Sequence, residues 1–597
     1  MLKKIIVALT AAALCAALAG CGNNGEGGSA PLESVDDSDI AHTVEAEAPD
    51  VIKPLESYAE DSLVYRAESM NAVEFTKAMQ PGWNLGNTLD ATGGETSWGN
   101  PKTTPELIQK IKEEGFNSIR IPITWGHMMN DENIIDATYL ARTKEVINYA
   151  LNADLLVFVN IHHDSWEWLN KITPGENDAN YLKFRSIWEQ LAEAYKDYPR
   201  AVIFESINEP SFDNESTYAE CLDMMNKACV EIVRASGGNN AERLIVLPTK
   251  STSSEQKYLD HLYGTITELN DPNLIATVHY YGYWPFSVNI AGETEFKGTS
   301  VTDVDGIVSR VKTTFVDNGI PVIIGEWGLL GFDTALDTVE HGEILKFFEY
   351  FCNAANENGL TTMWWDNGQH MNRYNYEWAD PSLMAIIRQS TQGRSSVAER
   401  DFINLFEGVV EDKQLKLSLN GNTFEGIRTE RGELAAESFE LTEDILTLKS
   451  DYISTLVTDP AQYGCLETLY LEFSDGPDWK LYIYNTSTPE FTEVEGRKGN
   501  LIIPGDFKGT QLKTVEAKYI SGGSNTPGSQ NWTSFKQFGD QFTVDYQGGV
   551  RLTNKFFDEC SSECEIQFIF YFWNDTTVEY RLTLSDGKAV GAPVTAE

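Results

Sequence analysis

Positive charge is what this sequence has least of. Lysine and arginine number 45 against 90 aspartates and glutamates, a formal net charge of −45 over 597 residues. A chain this acidic is not drawn to nucleic acid, where basic side chains must neutralise phosphates, and an anionic membrane surface repels it. Cysteine is scarce too: eight residues, none in a Cys-x-x-Cys pair, which argues against zinc. Cys221 and Cys229 stand eight apart in a helical pattern, about 12 Å along the axis and too far to bridge. Cys560 and Cys564 leave a small disulfide loop and free thiols equally open. No metal motif, glycine-rich phosphate loop or Ser-His-Asp order occurs, so no metal and no cofactor is expected. What is plentiful is aromatic surface, 11% of residues with 14 Trp and 25 Tyr. Flat faces with little positive charge suit neutral ligands with apolar faces, such as sugars, better than phosphates.

The N-terminus is an export address. Met1-Leu2-Lys3-Lys4 is basic, and Ile5–Gly20 is a mostly apolar run of 16 residues without charge, short of the roughly 20 that a membrane span needs. It closes on Leu18-Ala19-Gly20-Cys21, which resembles the lipobox of bacterial lipoproteins. That resemblance makes Cys21 the lipidation site and places the protein outside the cell, lipid-anchored to the bacterial cell envelope. The anchor is its only membrane contact. Residues 22–62 are rich in Gly, Ser, Ala, Pro and acids and read as a disordered acidic tether.

Strand and helix then alternate. Eight β-rich runs recur, at 83–89, 118–124, 156–163, 201–209, 244–249, 274–281, 321–328 and 361–368. Between them lie helical patterns: Thr104-Pro105-Glu106 opens one and Gly115 closes it, and 341–351 carries the apolar spacing of a core-facing helix. Eight such units predict an α/β fold, a (β/α)₈ TIM barrel over 63–397, whose working residues sit at the C-terminal strand ends. Those ends carry Arg120, His162-His163-Asp164, Asn208-Glu209, His279-Tyr280-Tyr281, Glu326-Trp327 and Trp364-Trp365. Two carboxylates in one cleft, with an Arg, His, Tyr and Trp around them, is the set that glycoside hydrolysis needs. One acid protonates the leaving oxygen, and the other attacks or activates water.

With Pro81-Gly82-Trp83-Asn84-Leu85-Gly86-Asn87-Thr88-Leu89-Asp90, Glu95-Thr96-Ser97-Trp98-Gly99-Asn100-Pro101 and the strand ends in order, residues 65–395 resemble glycoside hydrolase family 5. The first two pieces look like subfamily 4, which holds endo-β-1,4-glucanases and xyloglucanases. The resemblance implies Glu209 as general acid/base and Glu326 as nucleophile, with Trp327 where a Phe is common. It implies that Arg120 holds the nucleophile ionised and that Asn208 donates to the sugar 2-hydroxyl. His162, His279 and Tyr281 would ring the cleaved sugar, with Trp365 as its platform and His163 second in rank. Asn87, Trp98 and Trp284 complete the expected substrate contacts. A retaining enzyme needs the carboxyls about 5–5.5 Å apart and their pKa values pushed apart.

Plainer readings stand beside these. Either Glu could be a structural ion-pair partner. His162-His163-Asp164 could bind a metal. Trp98, Trp284 and Trp327 could be core or rim aromatics, and Trp166, Trp168 and Trp188 read as filler.

After about 405 short alternating strands dominate, predicting β-sandwiches. Leu419-Asn420-Gly421-Asn422-Thr423-Phe424 and Asp451-Tyr452-Ile453-Ser454-Thr455-Leu456 resemble the X2 immunoglobulin-like module, over 403–490. Strands near 512–520, 542–546 and 565–573 beside a Gly/Ser loop are similar to carbohydrate-binding module family 46, over 498–597. That architecture implies a last module that extends the cleft, with Trp532 as its substrate contact and Trp573 in the core. The expected function is a monomeric, retaining endo-β-1,4-glucanase acting on plant cell-wall β-glucan: xyloglucan, mixed-linkage glucan or cellulose. A glycan-binding lipoprotein without catalysis and an endo-β-mannanase are the alternatives.

Overall fold

A computed structural model describes residues 53–522, 526–528, 532–545 and 548–594. Cys21, the signal and most of the tether lie outside these residues. Within the expected tether, Leu55–Ser57 form a 3₁₀ turn, and Tyr58 packs against the main core.

Eight parallel strands close into a barrel. They are β1 (Gly82–Asn84), β2 (Ser118–Ile121), β3 (Leu156–Asn160), β4 (Val202–Glu205), β5 (Ile245–Pro248), β6 (Leu274–Tyr280), β7 (Val322–Trp327) and β8 (Leu360–Trp364). Every strand residue is buried, as expected of a parallel sheet covered by helices outside and packed side chains within. The helix Pro105–Glu113 starts as read, with the Thr104 hydroxyl accepting from Leu107 N and Pro105 at the first turn. Helix His341–Glu357 buries Ile344, Leu345, Phe347, Phe348 and Phe351.

Several predicted strands run past the ladder. β3 ends at Asn160, and His162 and His163 sit in the turn that enters the short helix Asp164–Glu167. Register shifts occur between Val278 and His279 against β7, and between Ile324 and Trp327 against β8. These irregularities re-aim side chains at the rim and pair His279 with Glu326.

The second module is a sandwich of a five-stranded and a four-stranded sheet. Val397–Ala398, which straddles the expected end of the barrel domain at 397, pairs with Leu417–Ser418 in the four-stranded sheet. Phe402–Phe406 runs parallel to Tyr482–Thr486. Its core, including Leu415, Leu446, Leu469 and Ile483, is continuous with that of the barrel. His341 ties the two, with Nδ1 3.1 Å from Asp401 and Nε2 3.0 Å from Asp380. Partial burial opposes its charge, but hydrogen bonds and charge from both aspartates lift its pKa to about 10.

The third module has a separate core, including Phe491, Ile503, Phe542, Phe568, Phe570 and Tyr580, between a five-stranded and a three-stranded sheet. Cys560 and Cys564 are free thiols. The Cys560 thiol donates to Phe556 O at 3.0 Å. The module docks on the loops after β6 and β7. Lys513 pairs with Glu295 at 2.6 Å, Asn289 Nδ2 donates to Lys513 O, and Phe538 N donates to Asn289 O. Trp573, buried as expected, lies edge-on to Phe402 of the second module at 5.8 Å. Its carbonyl accepts from Asn404 Nδ2, so one residue joins the two β modules.

Candidate active site

Arg120 organises the barrel mouth. It rises from β2, fully buried. Nε and Nη2 donate to Glu205 Oε2 at 3.1 and 2.8 Å. Nη1 donates to Asn84 Oδ1 at 3.0 Å and to Glu326 Oε1 at 2.7 Å. Nη2 also reaches Asn208 Oδ1 at 2.7 Å. One guanidinium on β2 thus pins groups from β1, β7 and the end of β4 in a fixed fork. Burial alone would lower its pKa, but Glu205 and Glu326 raise it further, so it stays charged. With Oδ1 taken, the Asn208 NH₂ group is the end left for a ligand.

Glu326 is buried among these donors, and Tyr281 Oη donates to its Oε2 at 2.6 Å. Burial pushes its carboxyl up. His279, the Arg120 charge and the Tyr281 and Arg120 hydrogen bonds outweigh that and hold it below the usual glutamate range. Tyr281 itself, pushed well up by burial and then by Glu326 and Glu209, remains a protonated donor. His162 Nε2 is 3.9 Å from Glu326 Oε1. Its Nδ1 faces Asn160 Nδ2 at 3.0 Å, which assigns the ring proton to Nε2. Burial, then the neighbouring His163 and Arg120, keep this ring neutral.

Glu209 faces Glu326 across His279. His279 Nδ1 lies 2.9 Å from Glu209 Oε1 and 3.5 Å from Glu326 Oε2. An oxygen of each carboxylate and the imidazole nitrogen all fall within 4.8 Å of one another. Glu209 adopts φ +38°, a left-handed backbone that costs a non-glycine residue about 1–3 kcal/mol. The strained residue is one whose carboxyl faces the cleft. A Cβ on Gly325 would sit 3.0 Å from His279 Nε2 and 2.9 Å from Thr277 Oγ1, so the bare glycine before Glu326 makes room for the imidazole.

Comparison with known proteins places this geometry. Residues 84–371 match the cellulase model of glycosyl hydrolase family 5. Residues 405–483 match a carbohydrate binding domain X2, and 487–592 match the carbohydrate binding domain CBM46. Endoglucanase B of Paenibacillus lautus is 42% identical over 529 residues, spanning 87% of this chain and 93% of that protein. The chain belongs to glycoside hydrolase family 5.

Solved structures carry the same module order. The full-length tri-modular endo-β-1,4-glucanase B from Bacillus halodurans superposes with a TM-score of 0.85 at 42% identity, covering 88% of this chain and all of that one. The tri-modular subfamily 4 endo-β-1,4-glucanase from Bacillus licheniformis, complexed with cellotetraose, gives 0.75 at 26% identity, covering 88% of this chain and all of that one.

In this family 5 hydrolase the expected site residues separate into groups. Glu209, Glu326, Arg120, Asn208, His162, His279 and Tyr281 converge on one point. Trp365 stacks on His162, 5.9 Å apart and 6° from parallel. Gly86 lets the ring lie close, since a Cβ there would sit 2.8 Å from it. His163 stands one step out, 4.4 Å from His162 and 5.0 Å from Trp98 between ring centroids. Trp98 is half-buried on the rim. Asn87 turns the β1 loop at φ +55°, with its N–H on Asp90 Oδ2 and its carbonyl on Asn100 Nδ2. Trp284 reaches Trp532 of the third module at 5.8 Å. Trp327 is core: it is 1% exposed and packs on Phe348 and Phe351.

The metal reading of His162-His163-Asp164 does not fit. Asp164 turns away to accept from Trp125 N, Gly126 N and Trp168 Nε1. Asp90 takes its place near the two histidines, but its oxygens accept from Asn87 N and Thr88 N. His162 Nδ1 and His163 Nδ1 are engaged by Asn160 and Trp166.

Three supporting residues escaped the sequence reading. Glu205 Oε2 takes Arg120 and Asn160 Nδ2, Asn84 holds Arg120 and the Gly325 carbonyl, and Asn160 orients His162. A usable signal was present: Glu205 ends the apolar run Val202-Ile203-Phe204, and a carboxylate buried there needs a cation.

Proposed function

We propose that this family 5 endo-β-1,4-glucanase hydrolyses β-glucan chains with retention of anomeric configuration. The substrates are xyloglucan, mixed-linkage glucan and cellulose. The observation that carries the mechanism is the short spacing of Glu209 and Glu326, with carboxylate oxygens within 4.8 Å. Retaining glycosidases hold their carboxyls about 5–5.5 Å apart, whereas inverting ones need about 6.5–9.5 Å to admit a water. Glu326, held ionised, attacks the anomeric carbon of the sugar seated on Trp365 while Glu209 gives its proton to the departing glycosidic oxygen. The C–O bond to the leaving chain breaks as the bond to Glu326 forms. Glu209, now a base, takes a proton from water, and that water displaces Glu326 from the same face the leaving chain vacated. Asn208 and Tyr281 offer donors beside the reacting sugar, where hydrogen bonds that strengthen in the transition state lower the barrier.

The test is the stereochemistry of the first product, followed by proton NMR before mutarotation. Early accumulation of the β-anomer is expected, and α-anomer first would exclude double displacement. Running xyloglucan, barley glucan, carboxymethylcellulose and mannan in parallel separates the glucanase from the mannanase and from a non-catalytic binder.

The Trp284–Trp532 pair supports a cleft that continues from barrel to third module. Trp532 is 45% exposed, as a sugar platform must be. Trp532→Ala is expected to lower kcat/KM on xyloglucan about five-fold, the worth of one stacked ring, and to change hydrolysis of a short aryl cellobioside little. An equal loss on both substrates would remove the third module from the cleft.

Cys21, behind Leu18-Ala19-Gly20 and the apolar run, supports an extracellular, lipid-anchored protein with residues 22–52 as spacer. Full-length protein from a bacterial host is expected in the detergent phase on Triton X-114 partitioning. Cys21→Ser should shift it to the aqueous phase, and identical partitioning of the two would sink the anchor.

A further inference from the structure

The loop after β8 carries an aromatic that no step above uses. Tyr374 is 73% exposed, the most exposed of the large apolar side chains among the described residues. The backbone around it is tied down. Asn372 Oδ1 accepts from Tyr374 N at 2.8 Å and from Asn375 N. The preceding residue, Arg373, is buried under the barrel mouth, 4.4 Å from the Trp83 ring centroid, and donates to Asp366 O at 2.7 Å. The backbone that carries Tyr374 is therefore anchored.

Its hydroxyl also reaches the loop after β1, which carries Trp98. The Tyr374 hydroxyl lies 3.4 Å from the carbonyl of Gly99, the residue after Trp98. From Trp98 rings lead inward: to His163 at 5.0 Å, from His163 to His162 at 4.4 Å, and from His162 to Trp365 at 5.9 Å. Trp365 follows β8 and Trp98 follows β1, adjacent strands in the closed ring, whereas Glu209 follows β4 on the opposite side. The acid marks where the leaving chain departs. A chain lying over Trp98 and Tyr374 is therefore the part that keeps the anomeric carbon bonded to Glu326.

We propose that Tyr374, together with Trp98, forms an outer subsite for the glycone arm of a β-1,4-glucan chain, binding a glucosyl ring by stacking. The proposal rests on the glucanase reading above. It makes the cleft aromatic at both ends, with Trp98 and Tyr374 on one arm and Trp284 and Trp532 on the other. The tyrosine is exposed and its backbone is fixed by its neighbours, so replacing the side chain leaves the fold in place.

The experiment is a glycone-length series of 4-nitrophenyl β-cellobioside, cellotrioside and cellotetraoside, in which the leaving group is constant. In the parent enzyme kcat/KM should rise with length. In Tyr374→Ala the ratio of tetraoside to bioside kcat/KM is expected to fall about five-fold, and in Tyr374→Phe, which keeps the face, it should hold. An unmoved ratio in Tyr374→Ala overturns the subsite while leaving the glucanase intact. A fall of equal size in Tyr374→Phe also overturns stacking, since it would assign the effect to the hydroxyl on Gly99. A parent inactive on every member would overturn the glucanase reading and this proposal with it.

Discussion

Replacing Glu326 by alanine is expected to lower kcat on β-glucan by on the order of 10⁴- to 10⁶-fold, the scale seen when a covalent nucleophile is deleted from an otherwise intact site. The size follows from how much of the mouth is built around that carboxylate. Arg120, Tyr281 and His279 all aim at it, and none of them supplies a nucleophile in its place. The variant also vacates space on the face opposite the leaving group. Sodium azide should enter there and, with a good leaving group such as a glycosyl fluoride, restore turnover to an α-glycosyl azide. A β-azide from this variant would place the nucleophile elsewhere. The depressed Glu326 pKa adds a sign. Since His279 and Arg120 favour the ionised form, the acid limb of the kcat/KM profile should lie below the usual glutamate value of about 4.3, with activity lost as pH falls through it. An acid limb above that value would mean that burial wins over the charges.

Much of this architecture is legible without coordinates, because a parallel barrel writes each strand as a short apolar run and each working residue at its end. Glu209, Glu326, Arg120 and His279 could be placed from that grammar alone. What stayed hidden depends on closure of the ring. Asn84 and Glu205 acquire their roles only when β1 and β4 converge on one guanidinium, and Asn160 only when β3 brings it to Glu205 and His162. Trp327 sits beside Glu326 in sequence yet points into the core, because successive strand residues face opposite sides of the sheet and its side packs on Phe348 and Phe351 of the covering helix. Val397–Ala398 looked like the end of the barrel chain because two residues carry no period, and their partner strand lies 20 residues downstream. Tyr374 was invisible for the opposite reason: composition counts aromatics but does not say which of them remain uncovered.

The second large effect is expected at Glu209, and its signature depends on the leaving group. On polysaccharide the departing alkoxide is poor and must be protonated. Glu209→Ala should therefore lose on the order of 10²- to 10⁴-fold, the usual worth of a positioned general acid. On 2,4-dinitrophenyl β-cellobioside the leaving phenolate needs no proton, so the first step should proceed while the second, which needs Glu209 as base, stalls. A burst of dinitrophenolate equal to the enzyme concentration, with kcat and KM falling together, is the expected trace. Azide should then release the accumulated glycosyl-enzyme as a β-glycosyl azide, the opposite anomer from that given by Glu326→Ala. This opposition follows from the proposed double displacement. His279 lies between the two carboxylates, 2.9 Å from one and 3.5 Å from the other, which is the closeness the proposed roles at one anomeric centre require. Equal losses on activated and unactivated substrates, with no burst, would return Glu209 to the role of an ion-pair partner. Its φ of +38° would then be strain without a purpose.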